Sequence, residues 1–180
     1  TGSATNGALV DLIALSSRIN RTAGTVTSGR IAVDATGGIG AATAGNRLVT
    51  STSLLQIGGL NTLAQNAVTP VAVVNAGDDF VENVGGVALR VAGVNANGDI
   101  DVVQDGANLT IDQVVAGTFD FTPVAAPLDA QSAVRIVSDA RDGVAAQNAG
   151  DTISLVTRAA GDIVVTRDVV TNGGDIALVS

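Results

Sequence analysis

The 180-residue sequence contains no cysteine, histidine, methionine, tryptophan, tyrosine or lysine. Without cysteine, the chain has no disulfide framework, no thiolate nucleophile and no thiolate-ligated metal. The missing histidine and cysteine also exclude Ser–His and Cys–His catalytic pairs. The side-chain chemistry left to this protein is that of hydroxyl, amide, carboxylate and guanidinium groups.

The chain also has little positive charge. Sixteen Asp and the single Glu82 stand against nine Arg, which gives a net charge of −8. An acidic chain without a basic patch or stacking aromatic residues is a poor match for nucleic acid. Its longest apolar runs, such as residues 71–74, are far shorter than the roughly 20 residues of a membrane-spanning helix. We therefore expect no nucleic-acid partner and no membrane insertion.

The residues that are abundant favour strands and corners. Ala, Val, Ile and Leu supply nearly all of the 46% hydrophobic residues, and the only aromatic residues are Phe80, Phe119 and Phe121. Glycine occurs 22 times. Val, Ile and Thr favour strands, whereas Gly, Asn and Asp favour turns. This composition predicts an all-β fold with frequent turns.

Residues 150–180 carry the clearest pattern. A Gly-Asp pair precedes a short strand three times, at positions 150, 161 and 174. Each pair is followed by two apolar residues two positions apart: Ile153 and Leu155, Ile163 and Val165, Ile176 and Leu178. A spacing of two is the period of a strand with one buried face. The pattern predicts a coiled parallel sheet. We interpret the Asp at each corner as bonded to its own backbone in an Asx-type turn, and a stack of corner carboxylates is the alternative.

Similar strands are expected along the rest of the chain. Segment 8–19 fits a strand or a short helix, and we favour a strand because no N-cap signal precedes it. Turn residues separate the other strands at about ten-residue intervals. These strands are predicted near 31–33, 48, 55, 71–74, 80–84, 87–91, 100–103 and 109–111.

An internal repeat favours a solenoid over a sandwich or a barrel. Residues 34–45 match residues 139–150, 105 positions later, at six positions without a gap. Solenoids repeat their sequence in this way, because each coil buries its apolar face against its neighbours. At roughly 20–25 residues per coil, residues 1–180 would form one solenoid segment of about eight coils.

The pattern is already in progress at Thr1 and still in progress at Ser180, so we expect a segment of a longer protein. The partners of its open ends would be neighbouring coils of the same protein or identical subunits.

Segment 114–133 departs from the strand pattern. It holds Phe119, Phe121, Pro123 and Pro127, and the alternation of Phe119 and Phe121 with Asp120 predicts a short strand before the prolines. Proline cannot donate a hydrogen bond to a strand ladder. The segment is therefore expected to leave the stack as an irregular insertion. We interpret it as a loop that covers an edge of the core, and a surface specialised for a partner is the alternative.

Three runs resemble a known family. They are GGIGAATAGNRLVTSTSLL at 37–55, GDDFVENVGGVAL at 77–89 and VNANGDIDVV at 94–103. Large bacterial filamentous-haemagglutinin-like exoproteins carry similar runs, and the resemblance covers most of the chain outside 114–133. It implies a right-handed parallel β-helix in a secreted or cell-surface bacterial protein. The implied role is adhesion to a host or matrix surface ligand, or matrix formation, without catalytic residues.

Two other functions are open at this stage. One is a carbohydrate-active β-helix, in which two carboxylates roughly 5–10 Å apart would flank a glycosidic bond. The formal candidates are Asp78–Asp79, Asp99/Asp101 and Asp139/Asp142. The absence of aromatic platforms and of histidine leads us to predict that the protein is not an enzyme. The other is a self-assembling filament subunit whose open ends stack head to tail.

A calcium site is the remaining candidate for bound chemistry. Asn95, Asn97, Asp99 and Asp101 place oxygen-bearing side chains at every second residue, as in a calcium loop. An EF-hand loop is closed by Glu at its twelfth position, where Gly106 stands here. No cofactor is predicted, and these four residues are the candidate ligands for the alternative that calcium binds.

Overall fold

The computed structural model describes residues 9–14, 16–43, 45–57, 59–60, 72–73, 77–96, 98–111, 144–166 and 169–180. Within these ranges the regular secondary structure consists of strands, with no helix. It follows that the described ranges include no helix able to cross a membrane. The strands are β1 (Leu9–Ala14), β2 (Val26–Thr27), β3 (Arg30–Ala35), β4 (Leu48–Ser51), β5 (Leu54–Ile57), β6 (Gly59–Leu60), β7 (Ala72–Val73), β8 (Asp79–Asn83), β9 (Leu89–Ala96), β10 (Ile100–Asp105), β11 (Leu109–Ile111), β12 (Val144–Ala149), β13 (Ile153–Arg158), β14 (Ile163–Val165), β15 (Val169–Asn172) and β16 (Ile176–Val179).

Two parallel sheets contain fourteen of these strands. Sheet 1 has the order β1-β3-β5-β9-β11-β14, and β12 and β15 extend it beside the second half of β9. Sheet 2 has the order β2-β4-β8-β10-β13-β16. The short strands β6 and β7 pair antiparallel with each other. The all-β prediction is confirmed for the described residues, and so is the parallel pairing.

Successive strands pass back and forth between the two sheets. From β2 to β5, and again from β8 to β11, each strand of sheet 2 is followed by a strand of sheet 1. We call one strand of sheet 2, with the sheet 1 strand that follows it, a layer. Parallel neighbours cannot be joined by a tight hairpin and need a crossover. Here the crossover is a strand of the opposite sheet.

The register gives the length of each layer. In sheet 1, Leu9 pairs with Arg30, and Arg30 pairs with Leu54. In sheet 2, Ile153 pairs with Ile176. Each of these steps from one strand to its neighbour falls within the roughly 20–25 residues that the sequence pattern predicts for one coil.

Two layers are much longer. Leu48 pairs with Val81, 33 positions later, and Ile100 pairs with Ile153, 53 positions later. The second step includes the predicted irregular segment 114–133, which lies outside the described residues. Because these two steps use many residues, sheet 2 contains six stacked strands within the described ranges rather than one for each of about eight coils.

The register of sheet 2 contains a chain separation close to the offset of the internal repeat. Leu48 pairs with Val81, Val81 with Val102, and Val102 with Leu155. Leu48 and Leu155 therefore occupy the same position three layers apart. Their separation along the chain exceeds the offset of the repeat by two positions. That difference preserves the face on which each side chain lies, because strand side chains alternate with a period of two.

Inward side chains form columns that run from layer to layer. The Leu48 column consists of Leu48, Val81, Val102, Leu155 and Leu178. The Ile19 column consists of Ile19, Ile39, Asp79, Ile100, Ile153 and Ile176. The buried apolar members of these columns form one continuous core with inward residues of sheet 1 such as Ile31, Leu55 and Val91. Full burial of each large aliphatic side chain stabilises the fold by roughly 1.5–3 kcal/mol.

The predicted strands at the opening segment, at 71–74 and near Phe119 and Phe121 have different outcomes. The opening segment contains the strand β1, so the choice of strand over helix is confirmed. Within the strand predicted at 71–74, the described residues are Ala72–Val73, which form β7 and pair with β6 outside both parallel sheets. The strand predicted around Phe119 and Phe121 lies outside the described residues.

Glycine is required where the corners of adjacent layers touch. Gly161 has φ +115°, and a Cβ there would lie 2.1 Å from the carbonyl oxygen of Ala107 in the neighbouring layer. Gly38 has φ +92°, and its Cβ would lie 2.4 Å from the Asp78 carbonyl oxygen. Only glycine tolerates both the left-handed backbone and this close approach.

Candidate functional site

The aspartates at the start of the sheet 2 strands form one column. Asp78, Asp99, Thr152 and Asp175 occupy the same position in successive layers, directly before β8, β10, β13 and β16. The Asp99 backbone N–H donates to Asp78 Oδ1 at 3.1 Å. The Thr152 backbone N–H donates to Asp99 Oδ1 at 2.8 Å, and the Thr152 hydroxyl donates to the same oxygen at 3.0 Å. We call these four residues the aspartate column.

The direction of these bonds corrects the Asx-turn prediction for Asp78 and Asp99. Each carboxylate accepts from the backbone of the next layer and not from its own turn. The same arrangement occurs directly before two strands of sheet 1. Asn108 precedes β11 and Asp162 precedes β14, and the Asp162 backbone N–H donates to Asn108 Oδ1 at 2.9 Å. A hydrogen bond to a charged acceptor contributes more than a neutral one, about 1.5–3 kcal/mol. These corner residues therefore fasten one layer to the next.

The C-terminal ends of the sheet 2 strands form a second, buried polar column. Thr50, Asn83, Gln104 and Thr157 are aligned by the strand register. Thr50, Asn83 and Gln104 are 0% exposed and Thr157 is 6% exposed. The Thr50 hydroxyl donates to Asn83 Oδ1 at 2.9 Å, and Asn83 Nδ2 donates to Gln104 Oε1 at 2.9 Å. We call this set the buried polar column.

The buried polar column also bonds to the turns that lead into sheet 1. The Thr52 backbone N–H donates to Asn83 Oδ1 at 2.9 Å, and Gln104 Nε2 donates to the Val87 carbonyl at 3.0 Å. The Thr157 hydroxyl donates to the Gly161 carbonyl at 2.9 Å. The column therefore fixes the path of the chain between the two sheets, since buried polar groups need such partners.

Sequence reasoning missed the buried polar column. The signal that could have revealed it is a polar residue two positions after an inward apolar residue, as in Val81 and Asn83, or Val102 and Gln104. Alternation places such a polar residue on the buried face. Only the register shows that these residues lie next to each other in space.

An ion pair links Arg47, directly before β4, to Asp101 in β10 across the intervening strand β8. Arg47 Nη2 lies 2.5 Å from Asp101 Oδ2, and the two side chains are 10% and 20% exposed. Between them in the stack lies Phe80, whose ring centroid is 5.8 Å from the Arg47 guanidinium carbon. Stacking of a cation on an aromatic face adds about 0.5–2 kcal/mol. Arg47, Phe80 and Asp101 form what we call the Arg47 clip.

Two of the four candidate calcium ligands have other partners in the fold. Asp99 accepts hydrogen bonds from Thr152, and Asp101 pairs with Arg47. Asn95 lies in β9 and its side chain is not described, and Asn97 lies outside the described residues. Among the described residues, no three acidic side chains are grouped so that they could hold a metal ion. The expectation of no cofactor and the alternative of a calcium site both stay predictions.

The carboxylate pairs are also distributed among structural contacts. Asp79 is fully buried in the Ile19 column, whereas Asp78 lies in the aspartate column. The pair Asp139/Asp142 lies outside the described residues. In the two described pairs, Asp78–Asp79 and Asp99/Asp101, each aspartate therefore belongs to a column or an ion pair that connects neighbouring layers.

Comparison of the chain with protein-family models, with curated proteins and with solved structures finds no match. The function is therefore inferred from the arrangement of the residues in this chain.

Proposed function

We propose that the chain is a right-handed parallel β-helix that acts as a non-catalytic structural and adhesive scaffold at a bacterial cell surface or in the extracellular matrix. The proposed class of protein is the filamentous-haemagglutinin-like exoproteins, which the sequence resembles. The observation that carries the proposal is the use of polar side chains for contacts between layers. Contacts of this kind suit a long and stiff chain.

The layer geometry supports the β-helix. Parallel strands alternate between two sheets, and the regular register steps carry the chain around one core. At roughly 4.8 Å per layer, the six strands of sheet 2 span about 24 Å along the stack. In such repeat arrays each layer contacts only its neighbours, so stability and length grow together.

The polar interior supports the scaffold role. Asn83 and Gln104 are fully buried and bonded to each other, and Asp99 bonds to the next layer. A substrate site would instead need polar groups directed toward a pocket. Adhesion would then depend on outward residues such as Ser53 and Arg90, which are exposed on the strands and turns of sheet 1.

The test is attachment. Beads coated with the folded chain should bind to host-cell monolayers or matrix-coated surfaces several-fold more strongly than beads coated with the variant Leu155→Asp. That variant places a carboxylate in the core and should abolish folding. Equal binding by the two coatings would contradict an adhesive role for the folded surface. Release of reducing sugar from matrix polysaccharide would favour the carbohydrate-active alternative.

A further inference from the structure

Four layers of sheet 1 share one junction, which the strand register defines on both sides. The row before the junction consists of Leu55, Val91, Ile111 and Val165, which are aligned as pairing partners in successive layers. The row after it consists of Ile57, Val94, Val144 and Val169. We call the interval between these two rows the sheet 1 junction.

Three of the four layers cross the sheet 1 junction with very few residues. Gln56 alone separates the two rows in one layer, residues 92–93 separate them in the next, and residues 166–168 separate them in the last. In the remaining layer residues 112–143, which are 32 positions, occupy the same interval. The neighbouring layers therefore show that one to three residues are enough to cross the junction.

Both residues that border this long interval are held by the layers next to them. The Ile111 carbonyl accepts the Thr166 backbone N–H at 2.9 Å and the Thr166 hydroxyl at 2.8 Å. Ile111 is also 0% exposed and belongs to the continuous core. Val144 pairs with Val94 on one side and with Val169 on the other. The positions of the two border residues are therefore set by strand pairing.

The two border residues are also close together. Val91 and Val94 are three positions apart in β9, a distance of about 10 Å along a strand. Ile111 and Val144 pair with these two residues and are therefore separated by a similar distance. Three linking residues provide four Cα–Cα steps, which span about 13 Å when extended. A short connection can therefore join β11 to β12 without moving either strand.

We propose that residues 112–143 are an insertion that the stacked layers do not require, so that β11 and β12 form a complete layer when a short linker joins them. The interpretation of segment 114–133 as a cover for an edge of the core predicts the opposite, because removal of a cover would expose apolar surface to water. The proposal depends on the strand register, so it holds whether or not the surface is adhesive.

A trimmed variant tests the proposal. In this variant Thr-Arg-Asp, the sequence of residues 166–168, replaces residues 112–143. The far-UV circular dichroism spectrum should remain that of a β protein. The Tm should lie within about 5 °C of the native value or above it, because a shorter connection costs less conformational entropy.

A second trimmed variant, with eight Gly and Ser residues in place of residues 112–143, removes any demand on the geometry of the linker. If the three-residue variant alone is destabilised, a native-like Tm of the eight-residue variant still supports the proposal. The control is Leu109→Asp in the full chain, which places a carboxylate at a fully buried position of β11 and should abolish the cooperative transition. A fall in Tm of more than about 5 °C in both trimmed variants would overturn the proposal and favour a segment that covers the core.

Discussion

Asn83 and Gln104 lie opposite each other on β8 and β10, and Asn83 Nδ2 donates to Gln104 Oε1 at 2.9 Å with both residues fully buried. Asn83 Oδ1 at the same time accepts from the Thr50 hydroxyl and from the Thr52 backbone N–H. One amide therefore bonds to strands on both sides of it. The Asn83 side chain can make these bonds on both sides because the parallel strands β4, β8 and β10 are in register.

Replacing Asn83 should be among the most damaging single polar changes in the described core. Asn83→Ala leaves the Thr52 N–H and the Gln104 oxygen buried without this partner, and each unsatisfied group costs about 1–3 kcal/mol. We expect a loss of about 3–5 kcal/mol in the free energy of unfolding, measured by urea denaturation.

The control for that measurement is Glu82→Ala on the same strand. Glu82 pairs with Arg158 at 3.2 Å, but the Arg158 side chain is 51% exposed. Surface pairs of this kind contribute about 0–1 kcal/mol. If the two variants lost equal stability, the buried polar column would not have the role given to it here.

The Arg47 clip should contribute more than the Glu82–Arg158 pair. Its side chains are only 10% and 20% exposed, and removal of one partner leaves the other charge poorly solvated. We expect Arg47→Ala to cost about 2–3 kcal/mol, a value below that of a fully buried pair because some solvent remains. A double-mutant cycle with Asp101→Ala measures the coupling, and a coupling near zero would contradict the ion pair.

Glycine substitutions should separate backbone strain from steric contact. Gly161→Ala introduces a Cβ 2.1 Å from the Ala107 carbonyl oxygen as well as an unfavourable φ of +115°. Gly150→Ala has a φ of +85° but no atom within 4 Å of the new Cβ. We expect a loss of about 1–2 kcal/mol for Gly150→Ala from the left-handed backbone alone.

Gly161→Ala should cost at least about 1 kcal/mol more than Gly150→Ala, because overpacking is added to the backbone term. Thermal unfolding followed by circular dichroism compares the two variants directly. Equal shifts in Tm would mean that the layers of β10 and β13 do not touch at this corner as closely as the structure indicates.

Calcium removal is expected to leave the stability unchanged. Asp99 is engaged by Thr152 and Asp101 by Arg47, so their charges already have partners in the fold. Thermal unfolding in the presence of calcium and of a chelator should give the same Tm. A calcium-dependent rise in Tm that Asp99→Asn removes would instead establish the metal site.

Much of the architecture could be predicted because it depends on local periodicity. The two-residue spacing of Ile153 and Leu155 determines which side chains are buried, and Gly-Asp pairs mark the corners. The long steps could not be predicted in the same way. The prolines of segment 114–133 predict that the chain leaves the stack there, but no local signal gives the number of residues before it returns. Loop length changes the closure free energy only slowly, so many lengths are compatible with the fold.

The candidate site shows the same division. Asp99 and Asp101 stand out in the sequence as neighbours, two positions apart, and suggest a shared ligand. In the structure Asp99 bonds to Thr152, 53 positions later, and Asp101 pairs with Arg47, 54 positions earlier. The partners of both side chains are set by which strands are adjacent.

By itself, the sequence determined that this protein is built from short strands with one apolar face, separated by glycine-rich corners and without cysteine or histidine chemistry. The alternation of side chains and the conformational freedom of glycine are local properties, so no long-range information was needed. The tertiary structure alone decided that Thr50, Asn83, Gln104 and Thr157 form one column and that Arg47 reaches Asp101. These contacts join residues that are 21 to 54 positions apart. They exist only after parallel stacking has brought every layer into register.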